Sequence, residues 1–137
     1  QGQYARAYLY TETDDNDLTY FLLYQMRVLL RAIHDLHDYL ARKQRELHDV
    51  ERLVRRASQA FEQLNARQLA LLGHALKHPE ARYTAQSHAV SHGVSGETAR
   101  HDLAGLVKHG LLTQRKVSKA FVFSPHHDLP RKLHAAH

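Results

Sequence analysis

Apolar positions between Leu18 and Leu64 keep a heptad frame. They recur at Leu22, Met26, Leu29, Ile33, Leu36 and Leu40, then at Leu47, Val50, Val54, Ala57, Phe61 and Leu64. Lys43 fills the one polar slot, so twelve of thirteen positions fit a 4-3-4-3 spacing. The stretch has no Gly and no Pro. As a single helix it would run about 70 Å at about 1.5 Å per residue, too long to bury its own stripe. The spacing therefore predicts a helical rod that folds back on itself or pairs with a second copy. Any bend is expected in the polar run Ala41 to Glu46, around Lys43. Tyr20, Phe21, Leu23, Tyr24, Val28 and Leu30 widen the apolar surface of the first half, which predicts several packing neighbours there.

Further on the pattern shortens. Asn65 followed by Gln68 reads as a capping box opening a helix to about Lys77, with Leu69, Leu72 and Leu76 inward and Pro79 closing it. Arg82-Tyr83-Thr84 reads as a short extended piece. Thr84 caps a helix from Ala85 to His92, and Gly93 ends it. Ser95 caps the next helix, whose inward positions are Ala99, Leu103, Leu106 and Val107. It ends at Gly110, with Lys108 and His109 in the last turn, where the helix dipole favours cations. Leu111 to Arg115 and Ala120 to Phe123 read as two strands joined by a basic turn, Lys116-Val117-Ser118-Lys119. This order predicts a mainly α fold: a heptad-patterned helical segment over 1–64, a winged helix-turn-helix with a β-hairpin wing over 65–123, and an irregular tail over 124–137 with no regular element beyond a turn.

At the other end, Tyr4 to Tyr10 forms an apolar patch, and Glu12 to Asp17 an acidic run. The run lacks the glycine and distal glutamate of a calcium loop, so it reads as capping for the next helix, with Asp15 or Asn16 as N-cap.

Charge adds direction to this picture. Residues 1–64 hold nine Lys/Arg against ten Asp/Glu, whereas residues 65–137 hold ten against four and ten of the thirteen His. The whole basic excess lies in the half with the short helices, which points to a polyanion, double-stranded DNA first. In the winged-helix reading, the free face of the Ser95–His109 helix presents Arg100, His101 and Lys108 to the groove. Arg100 has the fork to read guanine, and Ser95 and Thr98 suit phosphate. Arg115, Lys116 and Lys119 on the hairpin suit the DNA backbone. Asp102, a poor DNA contact, reads as a partner between helices.

Other chemistry is sparse. There is no cysteine, hence no disulfide, thiolate site or cysteine nucleophile. His74/His78, His88/His92 and His34/His37 have helical spacing for a metal, but no Glu follows His88 as in zinc proteases and such pairs arise by chance among thirteen His, so no metal or other cofactor is expected. No phosphate loop or nucleophile elbow occurs. No apolar run reaches a membrane span and no signal peptide is present, so a cytoplasmic location is expected. The chain opens on Gln1 and its one Met is Met26, which reads as a piece of a longer protein.

Two stretches carry a resemblance. Tyr10 to Phe21 (Tyr-Thr-Glu-Thr-Asp-Asp-Asn-Asp-Leu-Thr-Tyr-Phe), running into the Tyr24 to Ile33 helix, resembles the C-terminal end of the catalytic domain of bacterial Fic-family proteins. Asn65 to Phe123 resembles the winged-helix domain that many of them carry afterwards, and Val94 to Leu103 is similar to the recognition helix of DeoR-type repressors. The resemblance implies a parent that transfers AMP from ATP to protein hydroxyls through a His-Pro-Phe…Gly-Asn-Gly-Arg loop. That loop is absent: the one His-Pro, His78-Pro79, is followed by Glu80. No catalytic residue is carried over, and this chain is not expected to be an enzyme. The expected function is DNA binding and transcription regulation as a homodimer joined through residues 18–64. The alternative is an interaction module that dimerises and positions a Fic transferase and its target without DNA.

Overall fold

The structure is a computed structural model and describes residues 15–136, with side chains from residue 17 onward. The patch at Tyr4 to Tyr10 and the first part of the acidic run lie outside the described residues. The chain divides into two compact units, Gln1–Glu46 and Leu47–His137, and each is taken by itself.

The fold is mainly α with one small antiparallel sheet. Among the described residues the elements are α1 (Asp15–Ala60), α2 (Ala66–Lys77), α3 (Ala85–His92), α4 (Gly96–Lys108), β1 (Leu112–Val117), β2 (Ala120–Pro125) and α5 (Leu129–Ala135). α1 stays helical through Ala41 to Glu46, so the polar run around Lys43 does not break it. Its charges pair along the helix, as Lys43 does with Glu46 at 3.0 Å. The helix already includes Asp15 and Asn16, the residues expected to cap it, and stops at Ala60. Two heptad positions, Phe61 and Leu64, therefore lie beyond its end. Both pack against the core of the second unit from the loop that follows.

In the first unit the apolar stripe is open. Leu29, Ile33, Leu36 and Leu40 are between 51% and 61% exposed. No helix among the described residues is long and apolar enough to cross a membrane.

The second unit has a single core. Leu53 and Ala57 of α1 pack with Leu71, Leu72 and Ala75 of α2, Leu103 and Leu106 of α4, Leu111, Leu112 and Phe123 of the hairpin, and Leu129 and Leu133 of α5. The caps fall where the sequence placed them. Asn65 and Gln68 exchange both capping-box bonds. Thr84 and Ser87 do the same for α3, and Gly93 ends that helix with φ 63°. Ser95 accepts from the Thr98 N–H, and Gly110 takes φ 71° after α4. In α4, Ala99, Leu103 and Leu106 are buried as predicted, while Val107 is half-buried. In α2, Leu72 is buried, but Leu69 and Leu76 only half so, because the helix turns Gln68, Leu71 and Ala75 inward.

Two expectations need correcting. The tail is not irregular: Leu129–Ala135 is a helix that buries Leu129 and Leu133. Pro130 fits its first turn, where no N–H is needed. Lys132 anchors it by donating from Nζ to the Gly110 carbonyl at 2.8 Å, at the end of α4. The hairpin is also longer than expected. Lys116 and Val117 belong to β1, and Val117 pairs with Ala120, leaving the two-residue turn Ser118-Lys119. Tyr83 adds an antiparallel bridge to Phe123, with both N–H···O bonds at 2.8 Å. Burial at that junction pushes the Tyr83 hydroxyl up to about 12, so it stays neutral.

Ser118 is the one non-glycine residue with positive φ, 57°, among the described residues. A side chain there crowds the backbone in a turn position where glycine is preferred. Ser118→Gly is expected to raise the unfolding free energy by about 0.5–1 kcal/mol, read as a higher urea midpoint. A lowered midpoint would contradict the turn geometry.

Candidate nucleic-acid interface

α4 is held from below by one carboxylate. Asp102 is 1% exposed. Its Oδ2 accepts from Arg67 Nε at 2.7 Å and its Oδ1 from Arg67 Nη2 at 3.1 Å, a bidentate pair. Asn65 Nδ2 donates to Oδ1 at 2.7 Å. The His88 imidazole, also buried, donates from Nε2 to Oδ2 at 3.1 Å. Gln68 Nε2 donates to the Asp102 backbone carbonyl at 2.8 Å. Burial alone would raise the pKa of this carboxyl. The hydrogen bonds from Arg67, Asn65 and His88 outweigh it and hold the group at about 2. One side chain of α4 thus joins the start of α2 and the middle of α3. The sequence marks Asp102 as an inter-helix partner. The convergence of Asn65, Arg67, Gln68 and His88 on it is not legible there, since the four are spread over 24 positions of sequence.

The same junction explains a glycine. A Cβ on Gly105 would sit 2.8 Å from Gln68 Nε2. The Gln68 amide cannot swing away freely, because its Oε1 also accepts the Asn65 N–H at 2.9 Å. Gly105→Ala gains helix propensity but must disturb both bonds. A net loss of about 1–2 kcal/mol in urea denaturation is expected. A variant as stable as the parent would show that the amide can move aside.

On the opposite, outward face of α4, Arg100, His101, Ala104 and Lys108 are exposed. Ser95 and Thr98 stand at its N-terminus, their hydroxyls 2.9 Å apart. Both are engaged in capping, which leaves backbone N–H groups of the first turn, and the positive helix end, toward solvent. Arg115, Lys116 and Lys119 are exposed on the hairpin. Register places Lys116 beside Phe121 on one face and Arg115 beside Val122 on the other, so the cations project from both faces around the Lys119 turn. Phe121 and Val117 are each about half exposed at this tip, 50% and 49%.

Two of the ten Lys and Arg in this half are engaged within the fold. Arg67 is engaged by Asp102, and Lys132 by the Gly110 carbonyl. Arg100, Lys108, Arg115, Lys116 and Lys119 take part in none of the ion pairs or hydrogen bonds found among the described residues, and the same holds for Lys77, Arg82 and Arg131, which lie outside α4 and the hairpin. Two of the histidine pairs have structural contacts: His74 Nδ1 lies 2.7 Å from the Tyr83 hydroxyl, its ring lies tilted against that of His78 with centroids 4.6 Å apart, and His88 serves Asp102. Among the described residues no three His, Asp or Glu side chains come together in a way that could hold a metal.

No protein-family model matches the chain, and no curated protein matches it.

Proposed function

We propose that residues 65–125 form a winged helix-turn-helix that binds double-stranded DNA, with α4 as recognition helix and the β1–β2 hairpin as wing. The observation that carries this reading is a cluster of exposed cations, Arg100 and Lys108 on the outward face of α4 and Arg115, Lys116 and Lys119 on the hairpin, none of them in an ion pair among the described residues. The order of elements and the Tyr83–Phe123 bridge support the winged-helix part. Arg100, with His101 beside it, reads base edges; Ser95, Thr98 and Lys108 bracket the groove; Arg115, Lys116 and Lys119 hold phosphates. The chain acts as a homodimer through the 18–64 helical segment, whose open stripe supports pairing. It serves as the cytoplasmic, transcription-regulating end of a Fic-type parent, a proposal that rests on the sequence resemblance alone.

The test is selection of duplexes from a random pool, then a salt titration of the selected site. Affinity falling steeply with salt, and preference for one sequence, are expected. No binding to any duplex at low salt would remove the DNA reading. It would favour the alternative, a protein-docking module for the parent transferase, to which the exposed Phe121 and the 77%-exposed Val90 would then belong.

A further inference from the structure

α1 and α2 form a groove in the second unit that α1 itself does not fill. It has a volume of about 680 Å³ and an apolar floor of Val50, Val54, Leu69, Ala70 and Gly73. Glu51, Arg55 and Lys77 stand at its rim. Val50 and Val54 are also successive heptad positions. The heptad frame places Met26, Ile33, Leu40, Leu47 and Val54 at a positions, and Leu22, Leu29, Leu36, Lys43, Val50 and Ala57 at d positions. Glu46 then falls at g and Glu51 at e.

Two ways of pairing this frame differ in charge. In a parallel pair Lys43 would face the partner's Lys43 in the seam, and Glu46 would reach the partner's Glu51 across the g–e edge. Both contacts are like-charged. In an antiparallel pair a positions meet d positions. Lys43 then faces the partner's Leu40, an apolar neighbour, while Glu51 comes beside the partner's Leu30 and Glu46 beside the partner's Tyr39. The groove then receives the partner's open stripe, Leu29 to Leu40. Charge matches there. Residues 29–40 carry Arg31, Asp35 and Asp38, a net −1. The groove rim carries Glu51, Arg55 and Lys77, a net +1.

We infer that the α1–α2 groove is a docking site for a second copy of this chain, seated antiparallel so that its Leu29, Ile33, Leu36 and Leu40 pack on Val50, Val54 and the face of α2. The inference rests on the proposed homodimer and adds its direction and seat. It joins the open stripe of one copy's first unit to the groove of the other copy's second unit.

The lack of native cysteine makes the test direct. Chains carrying Leu36→Cys and chains carrying Val50→Cys are prepared separately, checked for helicity by circular dichroism, mixed, and treated with a short bismaleimide. In the antiparallel pair the two positions lie within about one helical turn of each other. In a parallel pair they are 14 residues apart, about 21 Å. The expected result is a covalent heterodimer from the mixture and little product from either variant alone. Val50→Cys cross-linking to itself would overturn the antiparallel seat while keeping the dimer. A wild-type mass of one chain by light scattering, with no cross-link in any mixture, would overturn the dimer and the seat together. DNA binding enters neither readout, so a failure of the DNA reading is seen separately.

Discussion

Asp102→Ala is expected to lower the unfolding free energy by about 3 kcal/mol, within the range for removing one partner of a buried ion pair. The alanine leaves His88, 4% exposed, and the Asn65 amide facing a space with no acceptor. Arg67 is one-third exposed and can turn to water in that variant, whereas Arg67→Ala leaves the buried carboxylate without its cation and is expected to cost about as much, about 3 kcal/mol. The double variant then separates the worth of the ion pair from that of the buried network. A loss under 1 kcal/mol for Asp102→Ala in urea denaturation would mean that α4 is held by its leucines alone. Because the carboxylate ties α4 to α2 and α3, the variant should also lose DNA affinity at temperatures where it remains folded.

The same carboxylate gives stability a pH dependence. Its folded pKa is about 2, below the ordinary 3.8. A depressed acid contributes stability that is fully present above the unfolded pKa and is lost as pH falls through the folded one. The contribution should therefore be constant above about pH 4 and disappear toward pH 2, amounting to roughly 2 kcal/mol at about 1.4 kcal/mol per pKa unit. Asp102→Asn should be less stable at pH 7 and should flatten the profile between pH 4 and pH 2. An unchanged slope in that window would assign the acid sensitivity to other carboxylates.

Local signals in the sequence had local causes, and these were legible. Asn65, Thr84 and Ser95 each precede a residue positioned to complete a cap, and Gly93 and Gly110 each take the positive φ that ends a helix. Element order followed from them. The C-terminal helix is not legible because seven residues with a proline and a histidine show little periodicity. Only Leu129 and Leu133, four apart, marked its buried face, and the decisive contact is to Gly110, 22 positions before Lys132. The Asp102 network was illegible for a related reason. Its members come from three helices, and only Asp102 itself stands out in the sequence, as an acid unsuited to DNA contact. The heptads were legible as a pattern but not in their use. Ala57 is consumed by the second unit's own core, whereas Leu22 to Leu40 remain open.

The triple variant Arg115→Ala, Lys116→Ala and Lys119→Ala is expected to lose affinity for DNA on the order of 10²-fold at 0.1 M salt, with its fold intact. Each phosphate contact contributes about 0.9 to the slope of log affinity against log salt, so three removed contacts should reduce that slope by roughly 2.7. All three side chains are exposed and free of ion pairs among the described residues, and the hairpin's buried anchors, Leu112 and Phe123, are untouched. Thermal unfolding should therefore stay near that of the parent. The loss should be uniform over duplexes, because phosphates are the same in every sequence. Arg100→Ala should behave differently. It is expected to lower affinity for the selected site by about 1–3 kcal/mol, with a smaller effect on unrelated duplexes, because base edges carry the sequence information. Two variants with opposite signatures, one in the salt slope and one in specificity, distinguish a groove-reading helix with a backbone-holding wing from a surface that is merely basic. If both variants lowered affinity equally on all duplexes, the interface would be electrostatic only, and α4 would not be a recognition helix.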